Sequence, residues 1–265
     1  MLTRFAPAPT GWLHLGHVLN AEYVWNSGAR VLLRIEDHDR ERSRPEYEAG
    51  ILEDLDWLGY RPTIFGPRQS DRDVVYREAI EILREQGLVY ACDCTRIGVR
   101  GAMRGSRKDA IELLYSGRCR DRGLPLVNGY GWRVRMDAGV EPFVDGRLGP
   151  QQQNPSRQCG DFLLRDRRGN WTYQFAATVD DWRQGIDLVI RGVDLLPSTG
   201  RQIRLARLLG RERPPTFFHH PLIMKSPDQK LSKSDRDTGV RDLRASGWTP
   251  EQVRRAAHDG ASGYV

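Results

Sequence analysis

The residues from Thr3 to Gly28 constrain the chain more than any other segment. Residues 3–6 read as a short buried strand, and Pro7-Ala8-Pro9-Thr10-Gly11 is a turn. His14-Leu15-Gly16-His17 opens a helix from about Leu15 to Ser27, which Gly28 stops in the αL-capping role. A strand, a tight turn and a helix N-terminus form an anion site, because orphan backbone N–H groups and the helix dipole both favour phosphate. His14 and His17 point the same way, and their rings can donate to phosphate oxygens. Gly16 lets a flat base or ribose approach the backbone. Alone, H-x-x-H is also the pattern of ordinary histidines or of half a metal site.

The segments that follow keep the same rhythm. Arg30–Ile35 reads as a second strand ending at the acidic Glu36-Asp37-His38-Asp39. Pro45 suits the first turn of a helix whose Ile51, Leu55 and Leu58 share one face. Another helix runs from Asp71 to about Gln86, and Leu88–Ala91 reads as a third strand. Strand–helix–strand–helix–strand is the pattern of an α/β, doubly wound parallel sheet. Between Cys92 and Asp161 the chain turns Gly-, Pro- and Gln-rich, with short strands such as Trp132–Met136, and reads as an insertion. The rhythm resumes with Tyr173–Val179, Ile186–Arg191 and a helix from about Ser198 to Leu209. The expected division is a nucleotide-binding half at 1–91, an inserted subdomain at 92–160, the second half at 161–220 and a lysine-loop segment with a short helical piece at 221–265. After Ser234 there is room for two short helices, the second capped at Thr249-Pro250, and not for a further domain.

Positive charge here is carried by arginine: of 41 basic residues only Lys108, Lys225, Lys230 and Lys233 are lysines. Three of those fall in or beside Lys230-Leu231-Ser232-Lys233-Ser234, the reading expected of a loop that needs a compact, movable ammonium. A solvated basic turn has the same composition. Only the pairing with the histidine motif makes the loop a candidate for binding a nucleotide triphosphate. The net charge of +6 and pI near 9.3 suit an anionic partner, nucleic acid first. No apolar run reaches membrane-span length and no signal-peptide layout opens the chain, so a cytoplasmic location is expected.

Cys92, Cys94, Cys119 and Cys159 are not spaced as a disulfide framework. Cys92-x-Cys94 with Tyr115-x₃-Cys119 offers three thiolates and a phenol, a soft donor set that favours tetrahedral zinc. Spacing alone leaves zinc and ordinary cysteines equally open, and His or water competes with Tyr115 as fourth ligand. Cys159 reads as a small core residue or free thiol.

Together these motifs resemble a known family. R-F-A-P-x-P-T-G-x-L-H-x-G-H at 4–17, L-R-I-E-D at 33–37, Tyr173…Val179-Asp180-Asp181, Ile190-Arg191-Gly192 and K-L-S-K-S at 230–234 stand in the order of a class I aminoacyl-tRNA synthetase of the glutamyl type. The resemblance spans residues 4–234 and implies a Rossmann-type catalytic core. The C-x-C…Y-x₃-C cluster is similar to the zinc site of the glutamyl-Q tRNA(Asp) synthetases. That branch activates L-glutamate with ATP and esterifies it to queuosine in the anticodon of tRNA(Asp).

The resemblance also implies roles. His14, Gly16 and His17 would hold ATP with its Mg²⁺, and Lys233 would neutralise charge on the phosphates, with Lys230 as a second candidate. Arg4 and Arg191 would face the substrate's side-chain carboxylate, Glu36 its α-ammonium, and Tyr173 would supply a hydroxyl. Ala8 stands where the family commonly has Ser, which removes a hydroxyl near the amino acid. Cys92, Cys94, Tyr115 and Cys119 would hold one structural Zn²⁺. The expected partners are glutamate, ATP and tRNA, with a monomer as the working state. Two other readings stay open: a truncated glutamyl-tRNA synthetase that charges a 3′ end, and a non-catalytic zinc-containing tRNA-binding paralogue.

Overall fold

β1 (Leu2–Phe5) and β2 (Arg30–Leu33), each buried along all but its first residue, lie at the centre of the molecule. The computed structural model describes residues 1–95, 98–99, 114–226, 229–230 and 239–262, the pairs at 225–226 and 229–230 by backbone alone. Successive strand residues face opposite sides of a sheet. Phe5 and Leu33 join one core with Leu19 and Val24 of helix α1 (Leu15–Trp25) and Ile51 and Leu55 of α2 (Pro45–Trp57). Leu32 enters a different core on the other face, with Ile186, Val189, Ile203 and Phe217. Both faces are covered, as parallel sheets require.

Beyond α2 come β3 (Ile64–Phe65), a 3₁₀ turn, α3 (Asp73–Glu85) and β4 (Val89–Cys92). The middle of the chain supplies β5 (Gly131–Val134), β6 (Glu141–Asp145), β7 (Gly149–Gln153), the one-turn helix α4 (Pro155–Gln158) and β8 (Leu163–Arg165). There follow α5 (Tyr173–Arg183), β9 (Leu188–Gly192), α6 (Thr199–Leu208) and β10 (Thr216–His220). A short antiparallel pair, β11 (Met224–Ser226) and β12 (Gln229–Lys230), precedes α7 (Val240–Ala245) and α8 (Pro250–Ser262).

The main sheet has the order β3-β2-β1-β9-β10-β6-β7. All its pairings are parallel except that of β6 with β7. The chain builds outward from β1 on one side and then, from β9, on the other. β1 and β9 therefore flank the point where strand order reverses, and the crevice beyond their C-terminal ends is where such sheets bind ligands.

Two parts of the expected organisation change. Leu88–Ala91, read as the third strand of the parallel sheet, forms as β4 (Val89–Cys92) and pairs antiparallel with β5, and β5 pairs with β8 to form a separate three-stranded sheet. The third parallel position is taken by β3, only two residues long, which occupies the edge of β2. Nor is 92–160 an insertion throughout, because β6 and β7 complete the main sheet beyond β10. The small sheet packs through Val134 and Leu164 against Tyr76, Ile80, Phe175 and Leu205, a second core beside the first.

One buried charge network ties these elements together. Arg34, with no exposed surface, donates from Nη1 to Asp181 Oδ1 at 2.9 Å and to Gln184 Oε1 at 2.9 Å, and from Nη2 to Glu36 Oε1 at 3.1 Å. Arg4 Nε reaches the same Asp181 at 3.2 Å. The adjacent Asp180 accepts from Arg72 Nε at 2.6 Å, Gln69 Nε2 at 2.8 Å and the Tyr76 hydroxyl at 2.9 Å. Burial opposes ionisation of Asp181, yet Arg4 and Arg34 hold its carboxyl below the usual range. Its contribution is therefore complete above the unfolded carboxylate's pKa of about 3.9 and is lost as pH falls through the lower folded value.

Removing one partner of a buried ion pair strands the other charge, typically at a cost of about 3–5 kcal/mol. Asp181→Ala, which leaves Arg34 and Arg4 short of a counter-charge, should lose stability on that scale in urea unfolding at neutral pH. A loss under about 1 kcal/mol would mean that the network does not hold the sheet to α5.

Candidate active site

The crevice between β1 and β9 holds a cavity of about 350 Å³. Arg4 and Ala6 come to it from β1 and its exit, Glu36 from beyond β2 and Tyr173 from the start of α5. Helix α1 contributes His14, Gly16, His17 and Asn20, and the far wall is Arg191, Gly192 and His220. Six separate stretches of sequence meet here because each begins or ends at the same edge of one parallel sheet. Ala6 lines the cavity, and, two residues on, the Ala8 carbonyl accepts from Thr10 N–H in the turn.

The histidines cap their own helix. His14 Nδ1 accepts from Gly16 N–H at 3.1 Å, and His17 Nδ1 accepts from His14 N–H at 3.1 Å. A neutral imidazole with Nδ1 used as an acceptor carries its proton on Nε2. Both rings, 3.9 Å apart between centroids, thus keep an Nε2–H donor, the polarity a phosphate requires. Gly16 is required at this spot, because a Cβ there would lie 2.9 Å from His14 Cε1. Past the lysine loop the chain returns to this turn: Val240 N–H donates to Leu13 O at 2.8 Å, and His14 bridges Gly239. Lys230 is described only as backbone in β12, opposite Met224. Lys233 lies outside the described residues.

The charges at the other end of the cavity are unequal. Arg4 is tied to Asp181 through Nε and donates from Nη1 to Ile190 O at 3.1 Å. Burial pushes the Glu36 carboxyl above its ordinary range, against the pull of Arg34. Burial also raises the Tyr173 hydroxyl, with Glu36 adding to the shift. Arg191 is held differently, by Gln202 Oε1 at 2.6 Å, Thr199 Oγ1 at 2.8 Å and His219 Nε2 at 3.0 Å. Among the described residues no carboxylate lies within salt-bridge distance of Arg191. A buried guanidinium with neutral partners and a cavity before it is a receptor for an anion, and its fork suits a carboxylate.

The cysteines gather in the other sheet. The sulfurs of Cys92, Cys94 and Cys119 lie within 4.8 Å of one another, with Cys94 and Cys119 at 3.6 Å. A tetrahedral ion with metal–sulfur bonds of roughly 2.3 Å needs sulfur–sulfur edges of about 3.8 Å, so the triad has the right size. The Tyr115 hydroxyl lies 3.4 Å from Cys92 Sγ and accepts from Cys119 N–H at 2.9 Å. Tyr115 bridges Gly160, whose φ of +65° and 2.1 Å approach of a would-be Cβ to Tyr115 O exclude any side chain. Burial, a hydrogen bond with Cys119 and the neighbouring Cys92 push the Cys94 thiol up to about 11, while for Cys92 hydrogen bonds from Tyr115 and Arg133 overcome burial and hold it down. Cys159 sits apart in the second core, its thiol pushed up to about 12 by burial.

Several site residues carry no signal that sequence reasoning used. Asn20 lies one turn beyond His17 and could have been found by that spacing; its side chain donates toward His220 at 3.0 Å. Arg34 stood in the L-R-I-E-D segment with no role assigned to it, and Asp145, His219 and His220 lie at strand ends that only the sheet order brings to the site.

Comparison with known proteins agrees with this geometry. The family model for "tRNA synthetases class I (E and Q), catalytic domain" matches residues 1–258. The chain is 39% identical to a glutamyl-Q tRNA(Asp) synthetase of Rhodobacter capsulatus over 96% of its own length and 99% of the relative's. A protein of the same name from Bordetella bronchiseptica is 43% identical, over 88% of this chain and 74% of that one. Among solved structures, a glutamate tRNA ligase from Elizabethkingia meningosepticum, in complex with its amino acid, superposes with a TM-score of 0.74 at 30% identity. It covers 94% of this chain, which spans only 53% of the ligase. A putative arginyl-tRNA synthetase from Campylobacter jejuni, 10% identical with a TM-score of 0.51, shares the fold alone. By the extent of these matches, the chain belongs to the class I tRNA synthetases of the E and Q type and, within them, to the glutamyl-Q tRNA(Asp) synthetase family.

Proposed function

We propose that the protein activates L-glutamate with ATP to glutamyl-adenylate and transfers the glutamyl group to queuosine in the anticodon of tRNA(Asp). The observation that carries the reading is the cavity itself. At one end it presents a buried Arg191 with no carboxylate partner among the described residues, beside Arg4 and Glu36. At the other it presents two imidazole donors on a helix N-terminus. An amino acid with a second carboxylate fits the first end and a nucleotide phosphate the second.

Adenylation is attack of the substrate's α-carboxylate on the α-phosphate of ATP, with pyrophosphate leaving. The protein does no covalent work, so positioning and charge stabilisation carry the rate. Arg191 takes the side-chain carboxylate as its missing counter-charge, with Arg4 beside it. Glu36 accepts from the α-ammonium and Tyr173 supplies a hydroxyl. His14 and His17 donate from Nε2 to phosphate oxygens, and Gly16 leaves room for the nucleoside. Lys233 answers the charge that develops as pyrophosphate departs, with Lys230 as its neighbour. Mg²⁺ enters with ATP.

The acceptor rests on the relatives' names, above all on the Rhodobacter capsulatus protein matched over nearly its whole length. The net charge of +6 suits RNA, and arginine planes and aromatic rings can take the splayed bases of a loop. Cys92, Cys94, Cys119 and Tyr115 are the residues that would hold a structural zinc, which would clamp the loops leading from β4 to the cluster.

Purified protein should exchange pyrophosphate into ATP with glutamate and without tRNA. Glutamine, which cannot pair its amide with Arg191 as a carboxylate does, should be rejected by at least about 10²-fold in kcat/KM, and aspartate likewise. Lys233→Ala should lower the exchange rate by roughly 10²–10³-fold with little change in glutamate KM. Equal use of glutamine, or no exchange with any amino acid, would remove this reading.

Elemental analysis should find about one zinc per chain, the count of a single four-ligand site. Cys119→Ser should lower that content and hasten proteolysis between β4 and β5. A zinc-free protein of unchanged activity and protease resistance would make the three thiols ordinary cysteines.

A further inference from the structure

The cation of the amino-acid pocket is aimed by an arrangement that the roles above do not use. Arg191 Nε–H donates to His219 Nε2 at 3.0 Å, and His219 Nδ1 lies 2.6 Å from Asp145 Oδ2. His219 and Asp145 are essentially without exposed surface, in β10 and at the end of β6. The other oxygen of Asp145 accepts from Leu148 N–H at 2.9 Å and Arg147 N–H at 3.1 Å, with His219 N–H at 3.5 Å. Those backbone donors and the imidazole keep Asp145 below the usual carboxylate range despite burial. Burial and the neighbouring Arg191 lower His219 to about 4, so its ring is neutral. A neutral ring with an ionised carboxylate at Nδ1 carries its proton there, which leaves Nε2 as an acceptor.

We propose that Asp145 and His219 are positioning residues for glutamate recognition: Asp145 fixes the His219 proton on Nδ1, so that Nε2 orients the Arg191 guanidinium toward the substrate's side-chain carboxylate without neutralising its charge. A carboxylate directly on Arg191 would orient it equally well and would also satisfy it, removing the demand for an anionic substrate. The imidazole separates the two tasks. It passes the direction of Asp145 on to Arg191 while keeping the full negative charge one ring away. The inference rests on the reading that the chain activates glutamate.

Asparagine at position 145 tests the proton's place. Its Oδ1 has to face the Arg147 and Leu148 N–H groups, so its amide N–H₂ has to face His219 Nδ1. That turns Nδ1 into an acceptor and moves the ring proton to Nε2, where it meets the Arg191 Nε–H head on. Thr199 Oγ1, 3.2 Å from Nε2, can take the displaced proton's hydrogen bond but cannot restore an acceptor to Arg191. Glutamine at 219 has no tautomer to reverse, and its amide oxygen reaches the place of Nε2.

Glutamate-dependent pyrophosphate exchange is measured on the wild type, Asp145→Asn, His219→Gln and the double variant, with thermal unfolding in the same buffer. Asp145→Asn should raise the glutamate KM by about ten- to a hundredfold, the scale of an unmade hydrogen bond to a charged group, with kcat within a few-fold. The preference for glutamate over glutamine should fall in step. His219→Gln should stay within a few-fold of wild type, and adding Asp145→Asn to it should cost no more. If Asp145→Asn does not fold, His219→Glu takes its place: it should raise the glutamate KM far beyond His219→Gln by giving Arg191 a counter-charge. An unchanged KM in Asp145→Asn, equal loss in both backgrounds, or a loss confined to kcat would reduce the pair to core structure and overturn the inference. A wild type that does not activate glutamate would instead defeat the functional reading on which it rests.

Discussion

Arg34 has no contact with water, and its three neighbouring carboxylates belong to two different parts of the chain: Glu36 just beyond β2, and Asp180 and Asp181 in α5. A charge buried this completely persists only if its counter-charges are fixed in place. Fixing them brings α5 against the edge of the parallel sheet and sets Tyr173 at the cavity mouth. The same ion cluster engages Arg4 through Asp181 and occupies one oxygen of Glu36. What remains without a carboxylate partner among the described residues of this group is Arg191. On the proposed function, the amino-acid pocket is the place where a buried guanidinium is left without a direct carboxylate partner among the described residues, and a dicarboxylic substrate would supply one.

Nucleotide binding depends on a different device. His14 and His17 serve first as reciprocal caps of α1, and that duty sets their ring protons on Nε2. On the proposed function, capping and phosphate recognition are one interaction seen from two sides, and the capping ring of His14 leaves no room for a side chain at Gly16. The return of the chain at Gly239 and Val240 to this turn ties the exit of the lysine loop to the histidines. The cysteine triad lies in the other sheet, joined to the main body through the second core and through β4.

The parts of this account legible in the sequence were those with a local cause. The strand–turn–helix at 2–25 follows from the Pro and Gly of the turn, and Pro45 marks its helix for the same reason. The cysteine cluster was visible because its spacings are short. Tertiary competition hid the rest. β3 is too short to show any period, so its place beside β2 went to Leu88–Ala91, a segment that pairs antiparallel elsewhere as β4. β6 meets β10 across some seventy residues of chain, from Asp145 to Phe217, and no local pattern foretells that pairing. Asp145 and His219 were invisible for the same reason, since each gains its meaning from a strand neighbour distant in sequence, and Arg34 gains its own from a helix distant in sequence. Ala8, placed near the amino acid by motif position, lies in the turn next to Ala6, which lines the cavity.

The central claim is that an adenylate made in this cavity is handed to a base in an anticodon loop. Radiolabelled glutamate, ATP and the protein are incubated with tRNA(Asp) that carries queuosine and with the same tRNA lacking it, and the product is cut with nuclease. The account predicts label on the anticodon-loop fragment of the modified tRNA alone, released by mild base as an ester. Label on the 3′-terminal adenosine, or equal labelling of the unmodified tRNA, would contradict it and make the chain a charger of tRNA 3′ ends.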